Sequence, residues 1–213
     1  GVLTVNADGD ELDTRASTIT GGKGTSDVLN ITADGATASD LSAVTNIETI
    51  NLVGTTASNT VTLADANATY TSATVYQTLT VDASGLTTGV ATLDAALEVD
   101  GKVILKGGGA ADIITLSSSA NFGDTVHGNA GNDTIVVDAT ADLTAADDID
   151  GGAGTDTVKF SADATVTDAM FTKATNVEAI TAAANKDLDI TLGDLAAAAG
   201  ITTVCLLYTS PSP

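Results

Sequence analysis

Along most of the chain, short runs in which aliphatic residues alternate with threonine or another polar residue are broken by Gly, Asn, Asp and Ser. Val61 to Leu63, Leu79 to Val81, Leu97 to Val99 and Val103 to Leu105 are such runs. Period two over a few residues predicts short strands with one face turned inward, and the punctuation between them predicts turns. Helical periodicity is scarce. Leu192 to Gly200 predicts one short helix, on the strength of its alanines.

The runs recur at a fixed interval. Gly21-Gly22-Lys23-Gly24-Thr25-Ser26-Asp27 leads into Val28, Leu29 and Ile31, and Thr45-Asn46-Ile47-Glu48-Thr49-Ile50 begins twenty-four residues after Gly21. Gly151-Gly152-Ala153-Gly154-Thr155-Asp156 leads into Val158 and Phe160, and Thr175-Asn176-Val177-Glu178-Ala179-Ile180 begins at the same offset. A tighter pattern lies between them. Asp-x-aliphatic recurs at Asp112, Asp124, Asp133, Asp147 and Asp156, and three of these aspartates close a glycine-rich hexad, at residues 107–112, 128–133 and 151–156. The hexads start 21 and 23 residues apart, which is two nonapeptide units plus a short insertion, so one coil of a stacked repeat takes about two units. Ser118 to Gly123 and Thr140 to Ala146 then become loops on the edge opposite the hexads.

Composition narrows the partners. With 28 Asp and Glu against 7 Lys and Arg, the formal net charge is −21, which repels nucleic-acid phosphates and anionic lipid. Yet 43% of residues are hydrophobic and mean hydropathy is +0.25, so the charge does not signal disorder. Aromatics make up only 3%, which suits a narrow core of small aliphatic side chains. No apolar run is long enough to span a membrane. The last nine residues, Cys205 to Pro213, hold the one cysteine and both prolines, and they read as a foreign tail outside the fold.

The hexads carry the chemistry. Glycines at the first, second and fourth positions permit positive φ, so the backbone turns sharply and aims carbonyl oxygens inward. Asn129, at a second position, is the best substitute for glycine there. A closing carboxylate completes an all-oxygen donor set, which suits Ca²⁺ above zinc or copper. Stacked coils would bring Asp112, Asp133 and Asp156 into a column at about 4.8 Å per step. Carboxylates about 5 Å apart repel by roughly 3 kcal/mol at an effective dielectric of 20, which a divalent cation between turns would reverse. The candidate calcium-site residues are Gly107, Gly109, Asp112, Gly128, Asn129, Gly131, Asp133, Gly151, Gly154, Asp156 and Asp27. Asp27 and Asp112 belong to the weaker sites, because the first hexad has an inserted residue and Ala110 replaces a glycine in the second.

Gly151 to Lys159 matches the G-G-x-G-x-D-x-U-x nonapeptide, and Gly128 to Val136 departs from it only at Asn129. In this the chain resembles the repeats-in-toxin (RTX) calcium-binding family. The surrounding pattern of hexad and Thr-Asn-hydrophobic-Glu resembles bacterial surface-layer and other large RTX surface proteins. The resemblance implies a right-handed parallel β-roll with calcium-binding turns, type I secretion, and folding on meeting extracellular calcium.

The fold class expected is all-β, a parallel β-solenoid. It divides into a Thr- and Ala-rich region at 1–106, the calcium-binding roll at 107–160, a C-terminal repeat and cap at 161–204, and the tail at 205–213. The function expected is a calcium-binding structural segment of a secreted surface protein that associates with itself or with other cell-surface components, without enzymatic activity. The alternative is the calcium module of a secreted hydrolase, toxin or adhesin. His127 reads as a surface residue, Glu48 and Glu178 as acceptors for turn amides, and the threonines as too irregularly spaced for a flat binding face.

Overall fold

The computed structural model describes residues 2–7, 18–22, 26–32, 38–54, 58–72, 75–119 and 122–206. The alternation of inward aliphatic and outward polar residues builds two parallel sheets that face each other. The first contains Thr4–Ala7, Val28–Ile31, Thr49–Leu52, Thr78–Asp82, Lys102–Lys106, Thr125–His127, Asp148–Asp150 and Ala174–Thr175. The second contains Asn59–Thr62, Ala91–Asp94, Ile113–Thr115, Thr134–Val137, Thr157–Phe160, Ala179–Ala182 and Thr203–Cys205. From Thr78 to Ala182 the chain alternates between them, one strand in each per coil, so the architecture is a parallel β-solenoid.

Register fixes the core. Leu29, Ile50, Val81, Leu105, Val126 and Ile149 stand in one file on the first sheet. Val61, Leu93, Ile114, Ile135, Val158 and Ile180 form the facing file on the second. All twelve are at most 1% exposed. A buried aliphatic side chain contributes about 1.5–3 kcal/mol, so these files are the main cohesive element of the stack. Phe160 and Phe171 widen the core toward the C-terminal coils.

The 21- and 23-residue intervals between hexads are single coils: Ile113 pairs with Thr134, and Thr134 with Thr157. Both sheets run unbroken through residues 106/107 and 160/161, so the three regions are stretches of one solenoid. Residues 118–119, 122–123 and 140–146 do lie on the edge opposite the hexads. The expected helix forms as Asp194–Ala199 and ends at Gly200, whose φ of 106° is the left-handed stop that glycine favours. A short second helix, Ala38–Leu41, was not foreseen.

Leu97 to Val99 is not a strand. Leu97 and Val99 are 54% and 48% exposed while Glu98 is buried, because three backbone amides draw its carboxylate inward at a turn. Cys205 ends the last strand of the second sheet, and residues 207–213 lie outside the described residues.

Candidate functional site

Each coil turns twice, and the Asp-x-aliphatic pattern marks the entry to a strand at either turn. Asp112, Asp133 and Asp156 precede strands of the second sheet; Asp27, Asp124 and Asp147 precede strands of the first. The five Asp-x-aliphatic aspartates therefore divide between two files on opposite edges. Asp27, grouped with the hexads by sequence, lies on the far edge, because its hexad feeds Val28–Ile31 of the first sheet.

On the hexad edge the carboxylates are buried and linked. Asp112, Asp133 and Asp156 are 1%, 1% and 0% exposed. Asp156 Oδ1 accepts the Asp133 N–H at 2.7 Å, Asp133 Oδ1 accepts the Asp112 N–H at 2.7 Å, and Asp112 Oδ1 accepts the Ala91 N–H at 2.7 Å. Glu178 closes the file, its Oε2 accepting the Asp156 N–H at 2.7 Å. Glu48 does the same for Asp27 at 2.8 Å on the far edge. Both glutamates thus serve as acceptors for turn amides.

The second carboxylate oxygens distinguish the hexads. Asp133 Oδ2 and Asp156 Oδ2 are buried with no hydrogen-bond partner. Asp112 Oδ2 accepts the Gly108 N–H, and Asp27 Oδ2 accepts the Gly22 N–H at 2.6 Å. Backbone conformation gives the reason. In the two later hexads the second and fourth positions have positive φ, at Asn129 (70°), Gly131 (131°), Gly152 (98°) and Gly154 (148°). That conformation turns the second N–H away from the closing aspartate; the Gly152 N–H goes instead to Asp150 Oδ1. Gly107, Gly108 and Gly109 have no positive φ, and the Gly108 N–H points back at Asp112.

First-position glycines do not have positive φ either. Their requirement is space. A Cβ on Gly128 would fall on the Gly151 carbonyl oxygen and Asp133 Oδ2, and one on Gly151 would fall on the Asn176 carbonyl oxygen and Asp156 Oδ2. A lone carboxylate oxygen and a carbonyl oxygen of the next coil therefore share one small space, twice in succession. Burial, reinforced by the charges of Asp112 and Asp156, pushes the Asp133 carboxyl up to about 7. Burial likewise raises Asp156, with Glu178 and Asp150 adding to it, and raises Asp112 against the opposing amides. Neutral, hard oxygen donors beside an unpartnered carboxylate fit a hard cation such as Ca²⁺. Asp133, Asp156 and the carbonyls of Gly151 and Asn176 are the residues that could hold one.

On the far edge, Asp27 alone is among the candidate site residues read from the sequence, and the buried Asp124 and Asp147 are not. Asp124 is 1% exposed, with Oδ2 accepting the Ser117 N–H at 2.7 Å and Oδ1 accepting the Ser117 hydroxyl at 2.8 Å. Its own N–H donates to Asp147 Oδ1 at 2.7 Å. Asp-x-aliphatic without a hexad was the available signal. Glu98 lies on the same edge, with ligand-capable oxygens of Asp65 and Asp100 within 4.8 Å, but its oxygens are already taken by the amides of Ala68, Asp100 and Gly101.

Two further observations concern the outer faces. His127 stands between Lys106 and Asp150 in register on the first sheet. The threonines, irregular along the sequence, are regular in space: Thr60, Thr92, Thr134 and Thr157 occupy one outward file of the second sheet, with Ile113 between Thr92 and Thr134. Insertions in the turns hide that order from a linear reading.

Comparison with protein-family models, curated proteins and solved structures finds no match for this chain.

Proposed function

We propose that this chain is a calcium-binding structural segment of a secreted bacterial surface protein of the surface-layer type, folded and stiffened by the ion. The observation that carries the reading is the pair of buried, unpartnered oxygens, Asp133 Oδ2 and Asp156 Oδ2, each set beside a carbonyl oxygen of the adjacent coil. Bound Ca²⁺ would supply the positive charge that this file lacks. The protein's part is to fix the oxygens: positive φ at Asn129, Gly131, Gly152 and Gly154 holds the loops open, and the aliphatic files set the coil spacing. Millimolar extracellular calcium suits sites of Kd about 10⁻⁴–10⁻³ M, whereas cytosolic calcium would leave them empty. That difference supports folding after export. The outward threonine file favours one form of the alternative, an adhesin module, and binding to a glycan array would distinguish it.

Calorimetric calcium titration, with circular dichroism and melting in calcium and in chelator, tests the reading. Calcium should bind and raise the melting temperature, and Asp133→Ala should raise the calcium midpoint more than Asp27→Ala, whose oxygens already have amide partners. A chelated protein with unchanged β signal and melting temperature, or no heat of binding at millimolar calcium, defeats the proposal.

A further inference from the structure

We propose that the edge opposite the hexads is a proton-operated lock, independent of any cation: it tightens when Asp124 takes up a proton and loosens when Asp124 and Asp147 are ionised together. The geometry is a closed chain. Asp147 Oδ2 accepts the Thr144 N–H at 2.6 Å and its hydroxyl at 3.0 Å, Asp147 Oδ1 accepts the Asp124 N–H, and Asp124 grips Ser117 with both oxygens. Ser117 and Asp124 are thereby tied to residues 144–147, one coil on, through two carboxylates and one amide. A Cβ on Gly123 would fall on the backbone of Ala146, so the turns touch and little space is left for water.

The charges around this chain are almost all of one sign. Asp142, 8% exposed, accepts the Ala139 N–H at 2.9 Å, and the Asp138 and Asp147 charges act on it. Asp148 is paired in register with Thr125, beside Asp124. Lys173 is the basic side chain at this corner, and its ammonium donates to the Ala146 carbonyl at 3.0 Å. The one ion pair among the described residues is Lys106 with Asp82, on the outer face of the first sheet. Asp124 thus relies on Ser117, whose hydroxyl can reverse its role and accept from a protonated carboxyl.

Burial first, then the charges of Asp147 and Asp142, push the Asp124 carboxyl up to about 7, and burial does the same for Glu98 on this edge. The ordinary aspartate value is about 3.9, so the folded state holds this proton more tightly than the unfolded chain does. Stability from the lock is full below about pH 4, falls as pH rises toward 7, and stays low above it.

The test is melting of the full chain in metal-free buffer at pH 5 and pH 8, so that it is read apart from calcium binding. Wild type should melt several degrees higher at pH 5. Asp124→Asn, which keeps a donor for the Ser117 hydroxyl and an acceptor for its amide, should raise the pH 8 value and remove about a third of the difference, because Asp133 and Glu98 are raised as far and contribute to the rest. Asp133→Asn with Asp156→Asn should leave the Asp124 contribution in place. Asp147→Asn, which removes the facing charge, is the second route if Asp124→Asn does not fold; it should shrink the difference by less, because burial of Asp124 remains, and should lower melting at both pH values because one of the two amides that Asp147 accepts then loses its acceptor. Equal or lower melting at pH 5 in wild type, or an undiminished difference in the variant that folds, overturns the lock. Loss of calcium binding would leave it standing.

Discussion

At the scale of single residues, adjacent positions in one hexad meet different demands. Gly128 is needed because the next coil's carbonyl and its own aspartate occupy the space where a Cβ would go. Asn129 is there because φ is 70°, and its side chain also donates to the Gly107 carbonyl at 2.6 Å. Gly128→Ala therefore forces backbone apart and should cost about 1–3 kcal/mol or more. Asn129→Gly removes the left-handed strain while losing a hydrogen bond and should be near neutral, whereas Asn129→Ala keeps the strain, loses the bond and should cost about 1–2 kcal/mol. Urea midpoints at constant slope, measured in calcium, rank the three. A Gly128→Ala protein as stable as wild type would show that the coils are less closely apposed than described.

At the scale of elements, a strand is set in place by the residue that precedes it. Glu178 holds the Asp156 N–H and so anchors the file from the C-terminal side. Glu178→Ala leaves a turn amide without its acceptor and should cost about 1–3 kcal/mol, while Glu178→Gln, which keeps an acceptor oxygen, should recover most of that. Thermal melts of the two variants separate amide capping from charge. This is also the scale at which sequence was most and least readable. Strand positions and coil length were legible because Asp-x-aliphatic opens the strands and the hexads recur every 21 to 23 residues, each interval being one coil. Which sheet a strand joins was not, because the same signal opens strands of both, and Asp27 was misplaced for that reason. At Leu97 to Val99 alternation pointed to a strand, but three amides hold Glu98 inward and reverse the faces. The hexad at 107–112 was marked as weaker by Ala110 at its fourth position, and its φ values with the Gly108 amide show why: its aspartate is already satisfied.

For the whole molecule, the consequence of a solenoid is that coupling follows the stack and fades across it. Each coil contacts its neighbours, so stability is close to a sum of coil and interface contributions. Asp133 and Asp156 are adjacent in one file, joined by a hydrogen bond and by like charge. Asp27 sits on the opposite edge, four first-sheet strands away from the coil of Asp133, a separation of roughly 19 Å at the usual strand spacing. A double-mutant cycle on Asp133→Asn and Asp156→Asn should therefore be non-additive, because neutralising either one relieves the repulsion felt by the other. Without metal the two changes together should stabilise less than the sum of the single effects, with a coupling of about 0.5–3 kcal/mol. The cycle on Asp27→Asn and Asp133→Asn should add within about 0.5 kcal/mol. Adding calcium should reverse the single effects in the first cycle, since each substitution then removes a ligand instead of a repelling charge. Additivity between Asp133 and Asp156 in both conditions would mean that their oxygens do not share an electrostatic environment, and the stacked file would lose its role in both repulsion and cation binding.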